Sequence, residues 1–217
     1  MISLLRIIAN RIVARPPLLY RVLFPECIWR LHRKKMRAVY LTFDDGPVPE
    51  VTPWVLKTLR EHDVKATFFL VGDNAKRHPE LVQAILAEGH SIGNHTMHHT
   101  YGMKVTANTY VRSVLEADQI LQTPLFRPPH GLMRWKQSHI LRSRFTLIMY
   151  DVVSRDYARQ ITPQKVLGNV IRLVRNGSII VFHDSLKAQK NMEYALPRAI
   201  KNLKSRGFKF LPIPMDW

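Results

Sequence analysis

The 217-residue chain has a single cysteine, Cys27, which excludes an internal disulfide framework and any cysteine-based zinc site. No uncharged apolar run approaches the roughly 20 residues that a membrane-spanning helix needs. Linkers, low-complexity tracts and internal repeats are lacking, so one main domain is expected. A secretory signal is not expected either. Ile2, Leu4, Leu5, Ile7 and Ile8 resemble the apolar region of one, but Arg6 and Arg11 interrupt it and no small-residue cleavage site follows. The compartment, cytoplasm or envelope, is therefore left open. Negative charge is scarce: 16 Asp and Glu stand against 33 Lys and Arg, a formal net charge of +17. Such an excess favours anionic partners, whether nucleic acid, acidic lipid or acidic polymer. No recognised nucleic-acid motif accompanies it, so a specific nucleic-acid partner is not expected.

What is present is enough for a sizeable core: 46% of residues are apolar. Residues 1–37 form a basic arm, rich in arginine from Arg6 to Arg37 with Glu26 as its lone acid. It is expected to pack on the domain, with contact to an anionic surface as the alternative. From residue 38 to 217, short apolar runs alternate with helical stretches. Strand character is read at Ala38–Phe43, Lys65–Val71, His90–Ile92, Pro124–Arg127, Phe145–Tyr150, Ser178–Phe182 and Phe208–Leu211. Helical spacing is read at Thr52–Glu61 (Thr52 as N-cap, Pro53 at the first position), Pro79–Glu88, Thr106–Leu121, Pro163–Val174 and Tyr194–Ser205. Alternating strands and helices give an α/β chain of parallel βαβ units, closed into a barrel or doubly wound. In either, function collects at the carboxyl ends of the strands.

Polar clusters sit where those apolar runs end. Asp44 and Asp45 follow the first, and His95 and His99 follow His90–Ile92. Arg127 ends the next, Asp151 and Asp156 follow Phe145–Tyr150, and His183 and Asp184 follow Ile179–Phe182. In a parallel sheet these would converge on one mouth. His95 and His99, four apart, share a side if the segment is a helical turn. Two imidazoles, one carboxylate and an open position make a catalytic zinc arrangement. Asp44 or Asp45 would complete it, leaving the other free to take a proton.

Thr42-Phe43-Asp44-Asp45-Gly46-Pro47, Gly93-Asn94-His95-Thr96-Met97-His98-His99, Phe126-Arg127-Pro128-Pro129-His130-Gly131, Asp151–Tyr157 and Ile179–Ser185 occur in this order. Together they resemble the five signatures of the polysaccharide deacetylases, the NodB-homology or family-four carbohydrate esterases. The resemblance runs from about residue 38 to 212. It implies a distorted (β/α) barrel of about seven parallel strands and a hydrolase that removes N-acetyl groups from an amino-sugar polymer or oligomer. It also implies a role for each site residue. Asp45, His95 and His99 would hold a divalent ion, zinc first and cobalt or nickel as alternatives. Asp44 would be the general base, kept ionised by Arg127. His183 would be the general acid, oriented by Asp156. The backbone N–H of His130 would face the oxyanion, and Pro129, His130 and Tyr157 would meet the substrate, an acetylated glycan such as peptidoglycan or a chitin-like chain. Two positions depart from the family pattern: His130 stands where tyrosine is usual, and Tyr157 where an exposed tryptophan is usual. Both bear on substrate fit more than on bond cleavage. Asp151 has a family counterpart but no assigned role, and Asp184 and Ser185 are read as capping the turn after the strand.

Two other readings share these residues. An amide or cyclic-imide hydrolase would use the same metal chemistry in a differently shaped pocket. A non-catalytic glycan- or surface-binding protein would rely on the positive charge.

Overall fold

The computed structural model describes residues 14–33 and 36–216. Arg6, Arg11, Lys34 and Lys35 of the basic arm therefore lie outside the described residues. The elements run in the order α1 (Leu18–Leu23), β1 (Ala38–Asp44), α2 (Thr52–Glu61), β2 (Thr67–Leu70), α3 (Gly72–Arg77), α4 (Pro79–Ala87), β3 (Ser91–Asn94), α5 (Ala107–Leu121), β4 (Leu125–Phe126), α6 (Trp135–Leu141), β5 (Thr146–Leu147), β6 (Val152–Val153), α7 (Pro163–Leu173), β7 (Ile179–His183), α8 (Gln189–Ser205) and β8 (Lys209–Phe210). The spatial order is β5-β4-β3-β2-β1-β7-β6, with β8 beside β1, and every pair is parallel. Seven parallel strands curl into a distorted (β/α) barrel with helices outside.

The central strand shows why the sheet is buried on both faces. All seven residues of β1 are buried. Val39, Leu41 and Phe43 pack into the large cluster under the helices. Ala38 and Tyr40 pack inward with Phe69, Leu125, Ile148, Ile179 and Ile213. This period-two alternation also puts Thr42 and Asp44 on the inner face. Because neighbouring strands are parallel and in register, Asp44 aligns with His183 on β7, and Asn94 at the end of β3 aligns with Phe126, the residue before Arg127. The carboxyl ends of β1, β3, β4 and β7 thus open on one rim.

Three expected features differ. α2 takes Val51 as N-cap; Thr52 lies within the helix, and its hydroxyl accepts from Val48 N at 2.8 Å and donates to Asp184 at 2.7 Å. The hydroxyl is drawn away from capping by this buried pairing. β6 was not legible, because two valines carry no periodic signal. Its presence moves Asp151 from a strand end to a strand start, on the side of the barrel away from the rim. There its buried carboxylate accepts from Ser178 Oγ at 2.7 Å, Arg21 at 2.6 Å and Arg175 at 2.8 Å.

The described part of the N-terminal arm joins the wall. Ile28 pairs with Ile148, donating to Leu147 O and accepting from Met149 N, each at 2.8 Å, while Leu31 N donates to Gly177 O at 2.9 Å. This segment links the end of β5 to the turn before β7. Trp29 and Cys27 sit in the core cluster beside Phe24, Met133 and Leu141. Burial pushes the Cys27 thiol up to about 12, so it is an inert core group. No helix among the described residues is long and apolar enough to cross a membrane.

Candidate active site

The rim holds a cleft lined by Asp44, Asp45, His95, His99, His130 and His183, with Gly131, Tyr150, Val153, Tyr157, Val181 and Lys187 completing the wall. Asp45 follows β1 at φ 84°, a left-handed conformation uncommon for a side-chain-bearing residue. The turn is held from several sides. Asn74 Nδ2 donates to Asp45 O at 2.8 Å, Val71 N donates to Gly46 O at 2.9 Å, and Gly46 N donates to Asp184 Oδ1 at 3.0 Å. A Cβ on Gly46 would meet Asp184 Oδ2 at 2.0 Å, so the close approach needs glycine. Asp184 therefore braces the neighbouring loop instead of capping its own turn.

His95 and His99 come together, but not on a helix. Residues 95–99 form a loop with Thr96 at φ 66° and His99 at φ 52°. Side chains take the bonds a helix would use: Asn94 Oδ1 accepts from Thr96 N and Thr96 Oγ1 from Thr100 N, each at 2.8 Å. Such local bonds compete with helix formation. His95 Nδ1 donates to Arg127 O at 2.8 Å, which sets the tautomer and leaves Nε2 as a lone-pair donor. Asp45 Oδ1 lies 3.1 Å from His99 Nε2 and 3.8 Å from His95 Nε2. The three ligand atoms fall within 4.8 Å of one another. Burial pushes the His95 imidazole down to about 4, the neutral form a metal requires. Burial works against the Asp45 carboxylate, but the hydrogen bond to His99 and the nearby imidazoles hold it well below the usual carboxylate range. Two imidazole nitrogens and one carboxylate on one side of a cleft fit a three-ligand divalent metal site with an open position.

Asp44 points inward from the same strand end. Arg127, wholly buried, donates from Nη1 to Asp44 Oδ1 at 2.6 Å and to Thr42 Oγ1 at 2.7 Å; its other nitrogens donate to the Ile148 and Met149 carbonyls. Its guanidinium lies 4.0 Å from the Phe69 ring centre. Gly93 leaves room for that ring, since a Cβ there would sit 2.4 Å from it. The arginine is thus locked by four hydrogen bonds and a stacked face, and it sets its positive charge directly against the Asp44 carboxylate.

His183 donates from Nδ1 to Asp156 Oδ1 at 2.8 Å, and its backbone N donates to Asp156 Oδ2 at 2.8 Å. Burial opposes the charged ring, but Asp156 outweighs it, with Asp45 and Asp44 adding, and the imidazole is pushed up to about 9. His130, at φ 61°, sits edge-on to His99 at 4.8 Å and to Tyr101 at 4.9 Å. Tyr157 lies edge-on to His183 at 4.8 Å. Pro129 is buried in the turn below, supporting the wall without lining it. Tyr150, Lys187 and Asn74 were missed in the sequence. Tyr150 is the last residue of an apolar run and reads as core, and Lys187 and Asn74 belong to no periodic pattern.

The polysaccharide deacetylase family model matches residues 32–143. The chain belongs to this family. It is 31% identical over 185 residues to a peptidoglycan-N-acetylglucosamine deacetylase of Bacillus cereus, covering 82% of this chain and 86% of that one. It is 34% identical over 199 residues to a chitooligosaccharide deacetylase of Sinorhizobium fredii, covering 82% and 91%. The crystal structure of the Bc1960 peptidoglycan N-acetylglucosamine deacetylase superposes with a TM-score of 0.83 at 31% identity, over 91% of this chain and 95% of that one. A pseudoenzyme of the same carbohydrate esterase family, from Bacillus anthracis, superposes with a TM-score of 0.77 at 26% identity, over 86% and 66%. The curated relatives are named as deacetylases while this neighbour is a pseudoenzyme, so the fold alone does not carry the chemistry. This polysaccharide deacetylase gathers Asp44, Asp45, His95, His99 and His183 in one cleft.

Proposed function

We propose that this chain is a metal-dependent N-deacetylase acting on the acetamido groups of an amino-sugar glycan, with peptidoglycan or a chitin-like oligomer as substrate. One observation carries the reading. A three-ligand cluster stands beside a second carboxylate outside it, Asp44, and the same cleft holds an imidazole kept protonated by its own aspartate.

Asp45, His95 and His99 would hold the ion, zinc being the first candidate. When bound, it supplies Lewis acidity, polarising the acetamide carbonyl and bringing the pKa of a water to about 7. Asp44 acts as general base. Arg127 occupies Oδ1, so the other carboxylate oxygen is available for the proton of the attacking water. The backbone N–H of His130 donates to the developing oxyanion. His183 gives its Nε2 proton to the departing amine, which cannot leave as an anion, and Asp156 holds the resulting ring in the right tautomer. Tyr157 and His130 form opposite parts of the wall against the sugar. Tyr157 offers a smaller stacking face than tryptophan would.

The test is acetate release from N-acetylglucosamine oligomers and from peptidoglycan, with chelation and metal add-back. Asp44→Asn should lower the rate by about 10²–10⁴-fold while leaving metal content, measured by equilibrium dialysis, near that of the parent. Activity that survives this change would remove Asp44 as the base. No acetate release together with turnover of small cyclic amides would favour the imide-hydrolase reading.

A further inference from the structure

The helix α1 is anomalous. Its sequence Leu-Leu-Tyr-Arg-Val-Leu is largely apolar, yet none of its residues is buried. Leu18, Leu19 and Val22 are 76%, 68% and 67% exposed, and Leu23 is 54% exposed. A contiguous apolar face in water marks an interaction surface. The opposite side of the helix is anchored. Tyr20 packs edge-on to Trp29, and Arg21 pairs with buried Asp151.

Asp151 does not balance the charges around it. Arg15, Arg21 and Arg175 all lie within ion-pair distance of it, and Arg30 adds its charge to the same group. Four guanidiniums around one carboxylate leave an excess of three positive charges beside α1. Among the described residues, the buried Nε atoms of Arg15 and Arg30 find no hydrogen-bond partner. Upstream the same composition continues in the sequence, with Ile7, Ile8, Ile12 and Val13 interleaved with Arg6 and Arg11.

We propose that the exposed face of α1, backed by the arginine cluster around Asp151, docks on the surface of an anionic phospholipid bilayer. The four aliphatic side chains enter the boundary between headgroups and acyl chains, and the excess positive charge behind the helix draws the anionic surface at longer range. A second copy of the chain would match the apolar residues but would bring the same positive charge against itself. An anionic lipid matches both features.

The experiment is co-sedimentation of the full chain with vesicles of phosphatidylglycerol and phosphatidylcholine, against vesicles of phosphatidylcholine alone. The parent should bind the anionic vesicles and not the neutral ones. The variant Leu18→Ser/Leu19→Ser/Val22→Ser/Leu23→Ser should partition about tenfold or more weakly, with acetate release from a soluble oligomer unchanged. If the quadruple variant does not fold, Leu18→Asn/Val22→Asn should weaken binding in the same direction. Undiminished binding by these variants would overturn the proposal, since charge alone would then explain it. Equal binding to neutral vesicles would overturn it too, as would a concentration-dependent dimer of the parent that the variant disperses. Because the activity readout uses a soluble substrate, this proposal and the deacetylase reading fail separately.

Discussion

Single side chains at the rim act through geometry that their neighbours impose. Asp184 touches none of the ligand atoms in the structure, yet it accepts from Gly46 N and Thr52 Oγ1 and so holds the turn carrying Asp45. Asp184→Ala leaves two buried donors unpaired and should cost about 1–3 kcal/mol for each. It should also weaken metal binding, measured by calorimetric titration, whereas Asp184→Asn, whose one carbonyl oxygen can still accept from Gly46 N, should restore part of each. His90 supplies a pH prediction away from the cleft. It is buried against Phe68, and its Nδ1 accepts from Ala66 N. Burial, with Lys65 adding, pushes it down to about 4. The folded state therefore holds His90 neutral, while the unfolded chain protonates it below about 6.5. Its contribution to stability is complete above that value and is lost as pH falls through 4, by about 3 kcal/mol in all. Urea unfolding of His90→Asn should show a shallower acid dependence between those limits. An unchanged slope would mean that other groups carry it.

At the scale of elements, the N-terminal segment is part of the barrel. Residues 28–31 supply backbone bonds to β5 and to the turn before β7, and α1 is tied down through Asp151. Asp151→Ala would leave Arg15, Arg21 and Arg175 without their shared partner. Loss of a buried partner costs about 3–5 kcal/mol, and about 3 is expected here because the arginines are partly solvated. Hydrogen exchange at Ile28 and Leu31 should quicken more than exchange in β1. A chain beginning at residue 38 should be insoluble or molten, since it loses Trp29 and Cys27 from the core and uncovers Leu147 and Met149. A cooperative melt of that truncated chain near the parent temperature would contradict this. The strand boundaries explain what the sequence concealed here. The arm carries no period-two run, and β6 is two residues long, so neither the closing segment nor the position of Asp151 had a signal of its own.

For the whole molecule, the candidate metal site joins strands that are distant in sequence, because Asp45 follows β1 and both histidines follow β3. An ion bound to the folded state alone adds stability by mass action, about 2.7 kcal/mol at a hundredfold excess over Kd. For a chain of this size, zinc should raise Tm by roughly 5–10 °C over the chelated protein. His95→Ala should abolish most of that shift, read by calorimetry. A melting temperature indifferent to chelator in the parent would argue against the ligand set.

Residue identity and order alone determined the α/β class, most of the strands and the chemistry-bearing residues, because hydrophobic period and five ordered signatures are local properties of the chain. Asp44, Asp45, His95, His99, Arg127, Asp156 and His183 could all be picked out on that basis. Which aspartate faces the histidines and which pairs with Arg127 was open from spacing and rested on family resemblance. In the structure it follows from the inner face of β1 and the left-handed turn at Asp45. The spacing would have put both histidines on one side of a helical turn, but competition from Asn94 and Thr96 side chains made the segment after β3 a loop. Asp151 and Asp156 read alike as acids after an apolar run, but only one reaches the rim. Parallel registry decides that, because a side chain's height in a barrel depends on which end of its strand it occupies, and that becomes defined only when the strands pair.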